Sequence, residues 1–197
     1  MRIEKPNIIL VGGGGHCVSV IDVIEQQGKY NIKGIIDIKE NIGKNVLGYK
    51  IIGSDNDLQD LFLSCPNAIV SVGQIKSSAL RIHLFQKLKT IGYHLPIVIS
   101  PLAYVSKYAL IGEGSIIMHQ VLVNAGVKIG KICIINTKAN IEHGVQIEDF
   151  CHISTGTIVN GDCIVSRETF IGSNATISNG VTIPPNSIIS AGEFVKR

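Results

Sequence analysis

From Pro101 onward the apolar residues recur with a period of six. Cut into hexads from that proline, the chain carries Ile or Val at every fifth position, from Val105, Ile111 and Ile117 to Ile177, Ile183 and Ile189. The third position is always small or of middle size, beginning Ala103, Ala109, Ser115, Val121, Val127, Cys133 and ending Thr169, Ala175, Val181, Ser187. Fifteen hexads follow one another without an insertion, which is the mark of a hexapeptide repeat. Each hexad predicts one short strand and a corner. Three hexads make one turn of a triangular prism, and successive turns stack in parallel about 4.8 Å apart. The Ile/Val column fills the prism axis and the small third residue lets the walls close. Residues eighteen apart then lie above each other, which makes Cys133 and Cys151 stacked neighbours. No hexad buries its apolar side alone, so stacking supplies the stability.

Before Pro101 the pattern changes element by element. Asn7–Val11 is an apolar run ending in Gly12-Gly13-Gly14-Gly15-His16. Helical spacing follows, with Val18, Val20, Ile21, Val23 and Ile24 on one face and Gly28 as a stop, and then Ile32–Ile36 closes on Asp37. Strand, glycine turn, helix, strand and acid form a βαβ opening. Tyr49–Ile52 predicts a strand, Asp55–Phe62 a short helix capped by Ser54, and Ala68–Val72 a buried strand ending at Gly73. Ser77–Gly92 predicts a helix with Leu80, Ile82, Leu84, Phe85 and Leu88 on its face, and Leu95–Ile99 a last strand. Residues 1–98 are therefore expected to form a small Rossmann-like α/β domain with a parallel sheet, and residues 99–197 a parallel β-helix.

Composition narrows the function classes. The five cysteines form no CxxC pair, and Cys133, Cys151 and Cys163 fall at third positions of hexads, where a free thiol acts as a small hydrophobe. That favours a reducing cytoplasm over a disulfide framework. The net charge of +3 is small and no basic run is interleaved with aromatics, which excludes a nucleic-acid partner. No run reaches the roughly 18 apolar residues of a membrane span. The start, MRIEKPNIILVGGGGH, lacks the small-residue cleavage site of a signal peptide.

A glycine turn after a first strand lets the backbone approach a phosphate and aims helix N–H groups at it. GGGGH departs from GxGxxG, and a tight turn without a ligand is the competing reading. Asp37 at the tip of the second strand can accept from a ribose, and Gly73 ends a strand on the same sheet edge, where open α/β sheets bind ligands. Together these suggest a nucleotide. The hexad region holds His119, His143 and His152. His143 sits at a corner, in Asn140-Ile141-Glu142-His143-Gly144, and an imidazole suits deprotonation of an incoming amine or hydroxyl. A solvated surface histidine is the plain alternative. Zinc ligation, as in hexapeptide-repeat carbonic anhydrases, wants three protein ligands. No third histidine lies at a matching step, so no metal is expected. His119, His83 and His94 read as surface, helix-surface and loop residues.

Several segments together resemble a known family: VGGGGH (Val11–His16), IID (Ile35–Asp37), VGQ (Val72–Gln74), INTKANIEHG (Ile135–Gly144), FCHISTGTIVNGD (Phe150–Asp162), ETFIGS (Glu168–Ser173) and SAG (Ser190–Gly192). The chain is similar, nearly end to end, to the sialic-acid O-acetyltransferase and amino-sugar N-acetyltransferase family (NeuD/PglD-like). These are left-handed β-helix acyltransferases with a small nucleotide-sugar-binding domain. The resemblance implies a homotrimer with active sites between neighbouring prisms and acetyl-CoA as co-substrate. It places His143 as general base beside Glu142, and His152 on the acetyl group. Gly14, Gly15, His16, Asp37, Ile38 and Gly73 fall at nucleotide-sugar positions, and Ser173 and Ala191 at backbone contacts to CoA. Transfer is direct, without an acyl-enzyme or a nucleophilic cysteine.

The expected activity is N-acetylation of a UDP-type 4-amino-6-deoxy sugar for a surface polysaccharide or glycoprotein glycan. O-acetylation of a sialic acid is the alternative, and a non-catalytic nucleotide-sugar-binding scaffold the third reading. Two departures bear on this. Many amino-sugar members carry an acid directly after the base, where this chain has Gly144, and relatives usually continue beyond AGEFVKR to a GxPA segment over the CoA.

Overall fold

The computed structural model describes residues 5–196. The outermost residues of the two expected domains, 1–4 and 197, lie outside the described residues, and so does the start of the segment read as lacking a signal peptide. The chain divides into two compact units. One holds the residues up to Gly73 together with Ala79–Pro96, and the other holds Gln74–Ser78 together with the residues from Ile97 onward.

In the first unit, β1 (Asn7–Val11), α1 (Gly15–Gln27), β2 (Asn31–Ile36), β3 (Asn45–Val46), β4 (Tyr49–Gly53), α2 (Leu58–Phe62), β5 (Ala68–Val70) and α3 (Ala79–Ile91) follow in order. The sheet order is β3-β4-β2-β1-β5. It is parallel except at the edge, where the two-residue β3 runs antiparallel to β4, a departure from the all-parallel sheet expected. Ile8, Ile9, Leu10, Ile35, Ile36, Ile69 and Val70 are fully buried in it. Gly28, left-handed at φ 66°, ends α1 by donating to Ile24 O, as expected of a C-terminal glycine.

Three local expectations are corrected. Ser54 does not cap α2. Asp57 takes that place, and its carboxylate turns back to accept from Ser54 N–H (2.7 Å) and Oγ (2.9 Å), which fastens the loop before the helix. The buried face of α3 is Arg81, Leu84 and Leu88 rather than the all-apolar face of Leu80, Ile82, Leu84, Phe85 and Leu88. Arg81 spends its guanidinium on the carbonyls of Val70 and Val72 past the end of β5, while Leu80 stays exposed. Leu95–Ile99 adds no strand to this sheet. Its strand is Val98–Ile99, paired with Ile116–Ile117 as the first rung of the second unit.

The second unit is a left-handed parallel β-helix of three sheets, with six, five and six strands. Every strand is two residues long and occupies the fourth and fifth positions of a hexad, as at Ile134–Ile135 and His152–Ile153. These two pair in register, Ile134 with His152 and Ile135 with Ile153, so residues eighteen apart do stack. The repeat is longer than the fifteen hexads read from Pro101. Leu95–Ser100 supplies a rung before it, and Ala191–Lys196, with Phe194–Val195 as its strand, supplies one after.

The axis column is dry, with Ile117, Ile135, Ile153 and Ile171 all at 0% exposure. The third position has a rule beyond size. Its polar occupants donate to the carbonyl fifteen residues on, as Ser115 to Gly130 (2.7 Å), Thr157 to Gly172 (3.0 Å), Thr169 to Pro184 (3.1 Å) and Cys133 to Glu148 (3.1 Å) do, except Ser187 on the last of the fifteen hexads, which reaches back to Pro184 O (2.6 Å). Ser, Thr and Cys therefore interchange there as small donors that satisfy a corner carbonyl. Cys151 stacks on Cys133, and its hydrogen bond with that thiol, together with burial, pushes its pKa up. From Gly114 onward each corner turns on a left-handed second position. Ile132 (φ 53°) and Phe150 (φ 60°) adopt it as well as Gly144 (φ 71°), at roughly 1–2 kcal/mol for each non-glycine residue. Among the described residues, no helix is long and apolar enough to cross a membrane.

Candidate active site

In the first unit the glycine run divides by its surroundings. A Cβ on Gly12 would run into Val72, and one on Gly13 would stand 2.5 Å from Asp37 Oδ2. A Cβ on Gly14 or Gly15 would meet nothing within 4 Å. The fold therefore requires the first two glycines, and the second two leave open space at the start of α1. Gly14 is the N-cap without a side-chain cap, its carbonyl accepts Cys17 N–H (2.9 Å), and a helix start of this kind is suited to an anion. Asp37 is a loop fastener: its Oδ2 accepts Gly13 N–H (2.9 Å) and its Oδ1 accepts Ile38 N–H (2.7 Å). Each oxygen keeps a second lone pair for a hydroxyl. A cavity of about 300 Å³ opens here, with Asp37, Ile38, Lys39, Asp55 and Leu80 in its lining. His16 and Gly73 adjoin each other, since a Cβ on Gly73 would lie 3.6 Å from His16 Cβ. Burial and the charge of Asp37 raise the Cys17 thiol, which a bond to Ser71 lowers in part, to a pKa of about 11. At that value it is no nucleophile.

In the second unit His143 stands at the corner between the sheets carrying Asn140–Ile141 and Gln146–Ile147. Its ring lies over Gly161 of the next coil, whose Cβ would come 2.7 Å from both Cε1 and Nε2. Its Nδ1 is 4.0 Å from Glu142 Oε2, with 63% of the His143 side chain exposed. Glu142 is held by two amides: Asn124 donates to Oε2 (2.9 Å) and Asn140 to Oε1 (3.0 Å). Those bonds, Asn124's first, keep its carboxyl below the usual range. Glu142 therefore faces the imidazole. Below the ring a cleft of about 480 Å³ is lined by Gly161, Asp162, Ser178, Asn179, Gly180 and Lys196.

His152 lies on a different sheet and is 7% exposed. Its Nδ1 bonds to Gln74 O, its Nε2 is 3.3 Å from Asn136 Nδ2, and its ring meets Phe170 edge-on at 5.2 Å. A carbonyl only accepts, so the proton is assigned to Nδ1 and Nε2 accepts from Asn136. Asn136 Oδ1 in turn accepts Thr137 N–H (2.8 Å), which leaves the second amide hydrogen of Asn136 as the donor at this place. Ser173 and Ala191 stack eighteen apart at a corner that His143 does not share. Ser173 Oγ bonds Ser154 Oγ (2.9 Å), and Gly192 N–H bonds Ser173 O (2.8 Å). Within one chain, His143 and Glu142 come together, Ser173 and Ala191 come together, and the two groups occupy opposite edges of one sheet. His119, read as a surface residue, is half-buried and bonded to Ser100 Oγ at 2.6 Å.

Sequence reading missed Asn124, Asn136 and Asn140. The signal was available in the eighteen-residue step, which puts Asn124 directly before Glu142 in the stack. Among the described residues, no group of three or more His, Cys, Asp or Glu is placed to hold a metal.

Residues 7–88 match the family described as PglD N-terminal domain. PerB from Caulobacter crescentus, solved in complex with CoA and GDP-perosamine, is 31% identical, with 100% of this chain and 92% of that one covered at a TM-score of 0.90. A His-to-Asn variant of perosamine N-acetyltransferase from the same organism, with the same ligands, is 30% identical over 100% of this chain and 91% of that one, at 0.91. The acetyltransferase domain of PglB from Neisseria gonorrhoeae, in complex with acetyl coenzyme A, is 28% identical over 96% of this chain and 90% of that one, at 0.87.

Proposed function

The chain belongs to the NeuD/PglD-like family and is an acetyl-CoA-dependent sugar acetyltransferase, and we propose that it acetylates the amino group of a nucleotide-linked 4-amino-6-deoxy sugar with His143 as general base. The observation that carries this reading is the corner itself. A carboxylate fixed by two amides stands 4.0 Å from Nδ1, which favours the tautomer with its proton on Nδ1 and leaves Nε2 as the basic atom above the cleft. Nε2 takes the proton as the amine nitrogen attacks the thioester carbonyl. The C–S bond then breaks and the CoA thiolate leaves, so no acyl-enzyme forms. His152, expected on the acetyl group, has its ring nitrogens bonded to Gln74 O and Asn136, so the second hydrogen of the Asn136 amide is proposed in its place as the donor to the acetyl oxygen. Ser173 and Ala191 offer backbone to the CoA chain. Gly14, Gly15, His16, Asp37, Ile38 and Gly73 serve the nucleotide sugar.

Because His143 and the Ser173–Ala191 corner lie on opposite edges of one sheet, a site needing both is completed by a second copy. That supports a homotrimer. The outer face of that sheet presents Tyr104, Leu122, Ile158 and Phe194, at 62, 36, 38 and 60% exposure, with Asn140 and Thr176 between them, a largely apolar face suited to a subunit contact. Five buried free thiols suit a cytoplasmic enzyme making precursors for a surface glycan.

The sequence resemblance points to a UDP sugar, whereas two of the relatives bind a GDP sugar. The test presents acetyl-CoA with UDP- and GDP-linked 4-amino sugars and with free and CMP-linked sialic acid, following released thiol. Turnover is expected with a 4-amino sugar, and His143→Ala is expected to lose 10²–10⁴-fold in kcat (order of magnitude for a general base). Turnover with sialic acids alone would move the assignment to O-acetylation. Full activity in His143→Ala would remove the base.

A further inference from the structure

Between β5 and α3 the chain leaves the first unit for one short segment, Gln74–Ser78, which belongs to the second. The segment touches down at its ends. Gln74 and Ser78 are 3% and 5% exposed, while Ile75, Lys76 and Ser77 between them face solvent. The two ends meet residues that stand eighteen apart in the stack. Gln74 Nε2 donates to Phe150 O (2.9 Å), and Ser78 Oγ donates to Glu168 Oε2 (2.7 Å). Gln74 has a second contact, because its main-chain carbonyl accepts from His152 Nδ1. One residue thus grips the coil at two points, Phe150 by its side chain and His152 by its backbone.

Fastening the segment explains the Ser78 bond, which ends on a carboxylate. It does not explain a carbonyl spent on a buried imidazole. A neutral imidazole has one N–H and one bare nitrogen, and its partners decide which is which. With Gln74 O beside Nδ1 the proton sits there, and Nε2 is left to accept from Asn136 Nδ2 (3.3 Å). Asn136 Oδ1 meanwhile accepts Thr137 N–H (2.8 Å). With the proton on Nε2 instead, Asn136 would have to turn its oxygen to the ring. Its Nδ2 would then face Thr137 N–H, donor against donor. The ring is also confined from the next coil, where Phe170 meets it edge-on at 5.2 Å. We propose that Gln74 is a positioning residue of acetyl transfer, whose carbonyl fixes the proton of His152 on Nδ1 and so aims the Asn136 amide at the acetyl oxygen. The bond from Gln74 Nε2 to Phe150 O holds that carbonyl in place. A donor aimed in advance at the atom where charge develops stabilises the transition state without reorganisation during the reaction.

The inference rests on Asn136 as the donor to the acetyl oxygen, and the experiment separates the two. Nitrogen-15 NMR of the histidine-labelled protein reads the ring directly at about pH 8, where an imidazole is neutral. The His152 signals are assigned by their loss in His152→Gln. In the unaltered protein Nδ1 is expected to carry the proton, and a proton on Nε2 overturns the inference before any variant is made. Gln74→Met keeps the length of the side chain. It removes the bond to Phe150 together with Gln74 Oε1, which is buried without a partner among the described residues. It is expected to mix the two forms of the ring, lower kcat roughly fivefold, and leave KM for the nucleotide sugar unchanged. Ser78→Ala removes the other fastening bond and is expected to match the unaltered protein in kcat and in ring signals. Unmoved His152 signals or an unchanged kcat in Gln74→Met overturns the inference. So does an equal fall in Ser78→Ala, which is the outcome of fastening alone. Asn136→Ala is expected to lose roughly 10²-fold in kcat, and where it does so while Gln74→Met does not, the donor stands without this positioning. Full activity in Asn136→Ala would overturn the donor and the inference together.

Discussion

The two units specify themselves in opposite ways. The solenoid repeats one rule coil after coil: Ile or Val on the axis, a small or middle-sized residue at the third position and, from Gly114 onward, a left-handed residue at the corner. The α/β unit uses a different device at each place: a glycine cradle, carboxylates fastening loops at Asp37 and Asp57, and a buried arginine closing the end of β5. In the solenoid a functional residue appears as a place where the rule is met unusually, such as a glycine at 161 that makes room for an imidazole. In the α/β unit function and fold share the same residues, and only the local space tells them apart. Regularity makes chemistry visible.

The comparison breaks first on stability. Ile153→Ala, at the middle of the dry axis, is expected to cost about 2–5 kcal/mol, and Ile189→Ala, half-buried near the last coil, under about 2 kcal/mol. Equal losses in chemical denaturation would show that the axis responds as one body rather than coil by coil. In the α/β unit, Gly12→Ala is expected to cost about 3 kcal/mol, since φ is 110° and its Cβ runs into Val72. Gly14→Ala meets open space. It should leave the melting temperature alone and raise KM for the nucleotide sugar by roughly tenfold, the effect of perturbing one close backbone contact worth about 1.4 kcal/mol. Loss of stability in Gly14→Ala would place it with the glycines the fold requires.

How much was legible follows the same division. The hexads declared the second unit, its register and the Cys133–Cys151 stack, because a period of six leaves no freedom in which residue faces the axis. They understated its length, since Leu95–Ser100 looks like the end of a mixed domain when read after α3. In the first unit, β1, α1 and β2 were legible from apolar runs and glycines. The buried face of α3 was not, because it includes Arg81, whose guanidinium is satisfied in part by carbonyls at the end of the preceding strand, a contact that the helix pattern does not announce. Ser54 and Asp57 exchanged roles for a related reason: either can cap, and three-dimensional reach decides which does. At the candidate site, His143 was legible as a corner histidine. The amides that fix Glu142 were missed, because polar residues on a solenoid surface look alike until the eighteen-residue step is applied to them.

The smallest effect concerns that clamp. Glu142 Oε2, the oxygen nearest His143, is held by Asn124 (2.9 Å) from the preceding coil, and Oε1 by Asn140 on its own coil. Both bonds favour the charged carboxylate, so the folded value lies below the ordinary one. A group lowered in this way contributes its stabilising bonds above its unfolded value and loses them as pH falls through the folded one. The clamp therefore persists into acid where an ordinary glutamate is already protonated. Asn124→Ala removes the bond to the oxygen that faces the imidazole and leaves the other. Its expected effects are a two- to fourfold fall in kcat (roughly 0.4–0.8 kcal/mol) and a titration of the Glu142 carboxyl carbon, read by NMR, that moves up towards the ordinary glutamate range. An unmoved titration would show that Asn140 alone sets the carboxylate, and the contribution of the preceding coil to this corner would then reduce to packing.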